Sequence, residues 1–351
     1  MPPAQRHPTM TDVAERAGVS VSTVSRTLRG LPTVSSSARA RVEEAVRELS
    51  FVVSRQASSL VTGRTGNIAV LTHSLDSWFM STAIGAVGSV LRDAGLDMQV
   101  YCVPDVEQRA AFFERLPARR NADALLVVSF DLTEEEGARL DELDVPVVYI
   151  SQHAPGRASV YVDDVAGTRR GTQHLLNLGH RRIGYVAAET DWGFAFSADA
   201  RLTGYRQAVA GAGLPLDEDL VVAARCERRP VEEAVGRLLG LADPPTAVVA
   251  ESDQLAMRVM WVLRAAGIGV PERMSVLGFD DHEFAEWMDL TTIAQSPEDL
   301  GRAAAELACE LLRDGTPDQA RHIELPTRLL PRGSTAAVTR TAARGEEGAG
   351  E

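Results

Sequence analysis

The feature that most constrains the fold is a regular alternation of short apolar runs with amphipathic helical stretches between residues 67 and about 332. The apolar runs lie at residues 68–72, 98–103, 124–130, 145–150, 183–187, 247–250 and 275–279. Helical patterns lie between them at residues 82–94, 167–178, 202–212, 230–239 and 254–266. Many of these patterns end at a glycine, where a left-handed cap is needed, as at Gly95, Gly179, Gly213 and Gly267. Repeated strand–helix–strand units predict an α/β fold with a doubly wound parallel sheet, as one sheet or as two similar lobes. Ligands of such sheets bind beyond the carboxyl ends of the strands.

The charge of the chain is divided unevenly along its length. The 351 residues carry a formal net charge of −13, and every one of the 36 basic residues is arginine. Residues 1–64 hold nine arginines and five acidic residues, a net of +4, whereas the remaining 287 residues have a net of −17. A uniformly acidic chain would argue against a nucleic-acid partner, but a basic segment can still bind phosphates.

The bulk composition excludes several classes of protein. With 45% hydrophobic and 24% charged residues, the chain is typical of a globular protein with about two domains. No apolar run is long enough to span a bilayer, and the polar start of the chain has no signal-peptide pattern, so no membrane partner is expected. Three widely separated cysteines fit a reducing cytoplasm and form neither a disulfide framework nor a zinc motif.

Enzyme and cofactor motifs are absent from the sequence. There is no nucleophile elbow, no phosphate-binding P-loop and no full dinucleotide fingerprint. His174 and His180 are six residues apart, which does not match a helical metal pair, and His180 is expected to have a structural role. The sequence therefore predicts no catalytic residues, no metal and no cofactor.

The basic segment is dense in helix signals. Thr9 to Asp12 resembles a capping box, and the helix that follows it ends at Gly18. Ser20 can cap a second helix over residues 21–28, and Ser35 can cap a third over residues 36–49. Two short helices joined by a glycine-containing turn form the helix-turn-helix pattern, whose second helix enters the major groove.

Side chains on the outer face of the second helix suit DNA recognition. Val21 and Ser22 lie in its first turn, and Arg26 follows one turn later on the same face, where it can donate two hydrogen bonds to guanine. The hydroxyls of three neighbours can donate to phosphates: Ser20, Thr23 and Ser25. The alternative is a three-helix structural module with a solvated arginine face.

The stretch TMTDVAERAGVSVSTVSRTLRG, which begins at Thr9, resembles the headpiece of the lactose-repressor family of bacterial transcription regulators. The resemblance implies that residues 55–60 form a hinge helix on the operator, with Ala57 and Leu60 wedged into the minor groove; a flexible linker is the alternative. The sequence departs from the family at Arg29, which is expected to add a phosphate contact, and at residues 51–54. The predicted DNA-binding set is Thr9, Ser20, Val21, Ser22, Thr23, Ser25, Arg26, Arg29, Ala57 and Leu60.

The resemblance extends to the acidic part of the chain. The motifs GTRRGTQHLLNLGHRRIGYV, RLTGYRQAV, SVLGFDD and LTTIAQ are similar to the ligand core of the family, which resembles periplasmic sugar-binding proteins. The chain order implies one lobe of about 65–160 plus 296–328 and a second lobe of about 161–295. The expected domains are a headpiece at 1–52, a hinge at 53–66, an effector-binding and dimerisation core at 67–330 and a disordered tail at 331–351.

The resemblance also places polar and aromatic residues in the cleft between the lobes. Arg201 and Asp280 match family positions that hold sugar hydroxyls, and arginine donors with a carboxylate acceptor suit that task. The predicted effector-binding set is Trp78, Phe79, Trp192, Phe194, Ser197, Arg201, Ser252 and Asp280. Alternatives remain: each ring can be a core residue, Asp280 and Asp163 can be helix N-caps, and Asp164 and Asp281 can be solvated.

These observations predict a cytoplasmic, nucleoid-associated transcription regulator that acts as a repressor. Its expected partners are a pseudopalindromic operator, a sugar-like effector and a second copy of the chain. Lobe closure around the effector would alter headpiece spacing or hinge folding, with induction expected and corepression as the alternative. No leucine heptads follow Arg332, which disfavours a tail-mediated tetramer. A sugar-acting enzyme and a sugar-binding transport protein are the two competing interpretations.

Overall fold

The structure is a computed structural model that describes residues 8–28, 30–51, 64–189, 196–317 and 319–338. The chain divides into two compact units, residues 1–66 and 67–351. Each unit is described by itself.

The first unit contains three helices, α1 (Met10–Ala17), α2 (Val21–Leu28) and α3 (Ser36–Glu48). The capping box at Thr9 is present, since its hydroxyl accepts from the Asp12 N–H and the Asp12 carboxylate accepts from the Thr9 N–H. Gly18 ends α1 in the left-handed conformation, with φ 63°. The side chains that face inward form one small core: Val13, Ala14, Ala17, Val24, Val42 and Ala45. Burial of these side chains fixes which faces of the helices remain outside.

The second unit has two lobes, and we call the first of them the N-lobe. Its strands are β1 (Asn67–Thr72), β2 (Asp97–Cys102), β3 (Ala124–Val128), β4 (Val147–Ile150), β5 (Ala158–Val162) and β11 (His322–Leu325). Its helices are α4 (Trp78–Asp93), α5 (Val106–Arg115), α6 (Glu134–Asp141) and α11 (Pro297–Asp314). The strands are all parallel in the order β11-β5-β4-β3-β1-β2. Residues of β1 belong to the cores on opposite faces of the sheet: Ile68 lies in the cluster that includes Leu300, and Leu71 lies in the cluster that includes Phe112.

The other lobe, the C-lobe, repeats this plan. Its strands are β6 (Ile183–Ala188), β7 (Val221–Ala224), β8 (Ala247–Ala250), β9 (Ser275–Asp280), β10 (Thr291–Ala294) and β12 (Arg328–Leu330). Its helices are α7 (Asp164–Asn177), α8 (Phe196–Gly211), α9 (Arg228–Leu239) and α10 (Asp253–Ala265). The order is β12-β10-β9-β8-β6-β7, with only the β10–β12 pair antiparallel among the described pairs. Of the two arrangements that the sequence left open, two similar lobes are confirmed.

Close helix packing in the C-lobe positions the cleft residues. Gly204 lies where a Cβ would be 2.4 Å from the Val165 carbonyl oxygen, so α8 can approach α7 only because this residue has no side chain. Arg201 lies one turn before Gly204 on α8, and Asp164 begins α7. The approach of the two helices therefore brings these two side chains together.

The prediction of a disordered tail is wrong for residues 331–338, which pack on the C-lobe. Ser334 is buried, its hydroxyl donates to the Val276 carbonyl at 2.6 Å, and it accepts from the Thr291 N–H at 2.8 Å. His180 Nε2 donates to the Ala336 carbonyl at 3.0 Å, and its Nδ1 lies 2.8 Å from the Thr246 hydroxyl, which fits the structural role expected for it. The polar composition of this segment suggested disorder, but its backbone and hydroxyl groups pair with the C-lobe instead.

No described helix is long and apolar enough to cross a membrane.

Candidate functional site

The outer face of α2 carries most of the described residues that were predicted to bind DNA. Ser20, Val21, Ser22 and Arg26 are exposed, while Thr23 and Ser25 are half-buried. The Ser20 hydroxyl lies 2.8 Å from that of Ser22 and 2.9 Å from that of Thr23, so three hydroxyls cluster where α2 begins. A helix N-terminus with clustered donors favours phosphate contact.

Arg26 differs from the other described arginines of residues 8–51. Arg16 and Arg47 pair with glutamates, and Arg39 and Arg41 donate to backbone carbonyls. The Arg26 side chain makes no hydrogen bond and no ion pair with any described residue, so its guanidinium is available to a base edge. Thr9 is also exposed, although its hydroxyl is engaged in the capping box. The DNA roles of these residues stay predictions, and Arg29, Ala57 and Leu60 lie outside the described residues.

The second site is a cavity of about 180 Å³ in the core unit. It is lined by residues of both lobes, at the carboxyl ends of parallel strands or the helices that follow them, as expected for a doubly wound sheet. The N-lobe contributes His73, Ser77, Trp78, Phe79, Met80, Ser129 and Ser151. The C-lobe contributes Ala188, Ser197, Arg201, Glu251, Ser252, Gln254 and Asp280.

The cavity brings together all the described residues that were predicted to bind the effector: Trp78, Phe79, Ser197, Arg201, Ser252 and Asp280. Their contact with an effector remains a prediction. Trp192 and Phe194 lie outside the described residues. Ser252 also caps α10 by accepting from the Leu255 N–H, so part of its hydrogen-bonding capacity is already in use.

Arg201 is the centre of a buried polar network. Its Nε donates to Asp164 Oδ1 at 2.8 Å, its Nη1 donates to the Glu251 carbonyl at 2.8 Å, and its Nη2 lies 3.4 Å from Asp280 Oδ1. The guanidinium carbon lies 3.8 Å from the centre of the Phe279 ring. Only 6% of Arg201 is exposed, so its orientation is set before any ligand arrives.

The alternative of a solvated side chain does not apply to Asp164. It is 5% exposed, because α8 approaches the start of α7 and places Arg201 against it. The N-cap alternative is confirmed for Asp163, which accepts from the Ala166 N–H at 2.8 Å. It does not apply to Asp280, which instead ends β9 and accepts from Gln295 Nε2 at 2.7 Å. Asp281 is one-third exposed and pairs with Arg332.

Two buried carboxyl groups in the cavity wall have strongly shifted proton affinities. Burial raises the pKa of Glu251 to about 7 and that of Asp280 to about 6. Burial also raises the pKa of Asp164, although the neighbouring Arg201 acts in the opposite direction. Perturbed groups of this kind are typical of binding sites. Glu251 and Asp164 were missed by the sequence analysis, and the only signal for Glu251 was its position directly after an apolar run.

One contact joins the two lobes across the cleft. The ring of Trp78 at the start of α4 lies 4.6 Å from the ring of His282, with 38° between the ring planes. His282 lies in the loop after β9, and its backbone N–H donates to Asp253 Oδ2 at 2.8 Å. Asp253 is fully buried and also accepts from the Thr292 hydroxyl at 2.7 Å. The buried carboxylate therefore fixes the loop that presents His282 to the N-lobe.

The backbone is strained where strands end at the cleft. Ser129, Ser151, Asp280 and Asp281 all have positive φ, at 51°, 62°, 122° and 58°. Left-handed conformations of non-glycine residues have a cost in free energy and concentrate at functional sites.

No cluster of three or more metal-ligating side chains occurs among the described residues.

Two family models match the chain. The family of "Bacterial regulatory proteins, lacI family" matches residues 9–54, and the "Periplasmic binding protein-like domain" matches residues 172–335. The first covers the three-helix unit and the second covers most of the C-lobe.

Relatives match over nearly the whole chain. The regulator CelR of Thermobifida fusca is 33% identical over 345 residues, which cover 94% of this chain and 99% of the relative. The regulator DegA of Bacillus subtilis (strain 168) is 30% identical over 93% of this chain and 98% of the relative. Among solved structures, the CelR–cellobiose complex matches with a TM-score of 0.69 and 30% identity, covering 93% and 99%. The lac repressor dimer bound to operator and the anti-inducer ONPF matches with a TM-score of 0.83 and 26% identity. This match covers 95% of this chain and 100% of the lac repressor chain.

A helix-turn-helix unit followed by a two-lobed core of the periplasmic-binding-protein type defines a DNA-binding transcription regulator, not an enzyme. The predicted fold class, a small all-α headpiece and a doubly wound two-lobed core, is confirmed by these matches. The chain belongs to the lacI family of bacterial regulatory proteins.

Proposed function

We propose that this regulator is a repressor whose operator affinity is set by a small sugar-like effector in the cleft. The observation that carries the proposal is the cavity itself, because its wall is built from both lobes. A ligand that touches Trp78 on one side and Arg201 on the other stabilises one arrangement of the lobes over others. Differential affinity for two arrangements is sufficient to shift operator binding.

The chemistry of the wall supports a polyhydroxylated ligand. Arg201 and the carboxylate of Asp280 provide donors and a charged acceptor, and Ser197 and Ser252 add hydroxyls. Trp78 and Phe79 offer aromatic faces to the C–H groups of a ring. The relative CelR has a structure in complex with cellobiose, and the lac repressor structure holds ONPF.

We further infer that the protein acts as a homodimer on a pseudopalindromic operator, in the cytoplasm and in association with the nucleoid. Among the described residues of the C-lobe, three aromatic side chains are exposed: Trp287 at 86%, Phe284 at 54% and Trp261 at 45%. Exposure of large rings favours an interface in the assembled protein. The solved lac repressor complex is a dimer on its operator.

The experiment that tests this function begins with selection of binding sites from a random DNA library by the wild-type protein. Affinity for the selected site is then measured by fluorescence anisotropy for wild type, Arg26→Ala and Arg47→Ala. The second variant removes the same charge from an exposed position on α3. We expect Arg26→Ala to lose roughly 1–3 kcal/mol and to relax base choice at one position, with a smaller effect for Arg47→Ala.

The second arm adds sugars to the protein–DNA complex. Release of the selected DNA by at least one sugar-like compound supports the proposal, and strengthened binding would make that compound a corepressor. Recovery of no consensus site, or an operator affinity that no such compound alters, would contradict it.

A further inference from the structure

Carboxyl groups outnumber arginines among the described residues that line the cavity. Arg201 is the one arginine of this set, and two lining carboxyl groups, Glu251 and Asp280, accompany a third, Asp164, behind the wall. Three of the five N–H groups of Arg201 are already directed at Asp164, Asp280 and the Glu251 carbonyl. The described part of the wall therefore has more carboxyl groups than guanidinium groups, and most of the donors of Arg201 are already engaged.

Glu251 has unused hydrogen-bonding capacity within this wall. Its side chain follows β8 directly and lines the cavity, although only 9% of the residue is exposed. Its Oε2 accepts from the Ala188 N–H at 2.6 Å, whereas its Oε1 accepts no hydrogen bond from any described residue. Oε1 is not one of the fully enclosed unpaired atoms of the described residues, so a donor on a ligand in the cavity can reach it.

The aromatic part of the wall favours the same type of ligand. Trp78 and Phe79 line the cavity from the N-lobe. Aromatic faces carry partial negative charge and attract cations, with tryptophan the strongest. Rings on one side and carboxylates on the other provide two independent sources of attraction for a positive group.

We propose that the effector is a small polyol that bears a positively charged nitrogen, such as an amino sugar, and that Glu251 is the residue that selects it. The ammonium group donates to Glu251 Oε1, while the hydroxyls pair with Asp280, Ser197 and Ser252. A phosphorylated or carboxylated sugar is rejected, because its charge would face the carboxylates. This inference rests on the proposed function, since it concerns the effector of the same cleft.

The test uses matched pairs of sugars that differ by one hydroxyl replaced with an ammonium group, such as glucose with glucosamine and galactose with galactosamine. Binding to the full chain is measured by thermal shift and by calorimetry. We expect an aminated member to raise the melting temperature more than its neutral counterpart. Preference for the neutral member in every pair, or binding by no aminated member, overturns the inference.

Two variants assign the preference to Glu251. Glu251→Gln keeps the shape of the side chain and an acceptor for the Ala188 N–H, but it removes the charge. It is expected to weaken binding of the aminated sugar by roughly ten- to hundred-fold more than binding of its neutral counterpart. Glu251→Asp keeps the charge and should keep the preference for the ammonium. Equal preference in wild type and Glu251→Gln overturns the assignment, and the Asp variant decides the question if the Gln variant does not fold.

Failure of this inference is distinguishable from failure of the proposed function. If neutral sugars bind the wild type and release DNA, the cleft is an effector site and only the inference is wrong. If no sugar of either charge alters DNA binding, the proposed function fails with it.

Discussion

Replacing Arg201 by alanine should destabilise the core unit strongly. The side chain is 6% exposed, and its removal leaves Asp164, which is 5% exposed, and Asp280, which is 7% exposed, without their cation. Breaking a buried pair by removing one partner costs about 3–5 kcal/mol, because the remaining charge is buried without compensation. Arg206→Ala on the same helix is the matched control, since its pair with Glu218 is exposed and contributes about 0–1 kcal/mol.

The assay is urea unfolding of the full chain at pH 8 and at pH 5, monitored by tryptophan fluorescence. Protonation of Asp164 and Asp280 can relieve the uncompensated charge, so the loss of stability in Arg201→Ala should be smaller at pH 5. Adding Asp164→Asn to Arg201→Ala should restore part of the loss, by about 1–3 kcal/mol. Equal losses for Arg201→Ala and Arg206→Ala would refute the reasoning that the network is held by a buried cation.

Two further predictions concern the C-lobe. Burial raises the pKa of Asp253 from 3.8 to about 7. Between these two values the folded state holds a proton that the unfolded chain releases. The contribution of this group to stability is therefore lost as the pH rises from about 4 to 7. Between pH 5 and pH 8, the free energy of unfolding of Asp253→Asn, measured with urea, should therefore rise by on the order of 2 kcal/mol relative to that of wild type. Parallel pH profiles of the two proteins would contradict this. Trp287→Ser should weaken self-association in sedimentation experiments, whereas the exposed Leu216→Ser should not; equal effects would remove Trp287 from the interface.

The elements that the sequence predicted best are those fixed by local rules. All seven apolar runs lie within or around strands, and Gly95, Gly179, Gly213 and Gly267 have the left-handed backbone that ends a helix, with φ between 70° and 97°. Two of the strands outside these runs, β10 and β12, lack such a signal. β10 begins with two threonines and β12 has only three residues, so both are defined by pairing within the sheet and not by composition.

The cleft shows the same division between local and tertiary information. Arg201 and Asp280 were identified through a resemblance, but the burial of Asp164 depends on how closely α8 packs on α7. That approach depends on Gly204, forty residues away in the sequence, and no pattern around Asp164 indicates it. Glu251 was missed for a related reason. It lies directly after β8, but the cavity that it lines forms only where the other lobe faces this strand end.

The loop between β9 and β10 connects the cleft to the proposed dimer surface. It follows Asp280 in the cavity wall and carries His282, whose ring contacts Trp78 of the N-lobe. The same loop then exposes Phe284 and Trp287. The buried Asp253 carboxyl group holds the start of this loop. A shift of the N-lobe at the Trp78–His282 contact is therefore expected to move Phe284 and Trp287 as well. A regulator that must change the spacing of two headpieces needs such an element, and this anchored loop joins the cleft to the exposed rings of the proposed dimer surface.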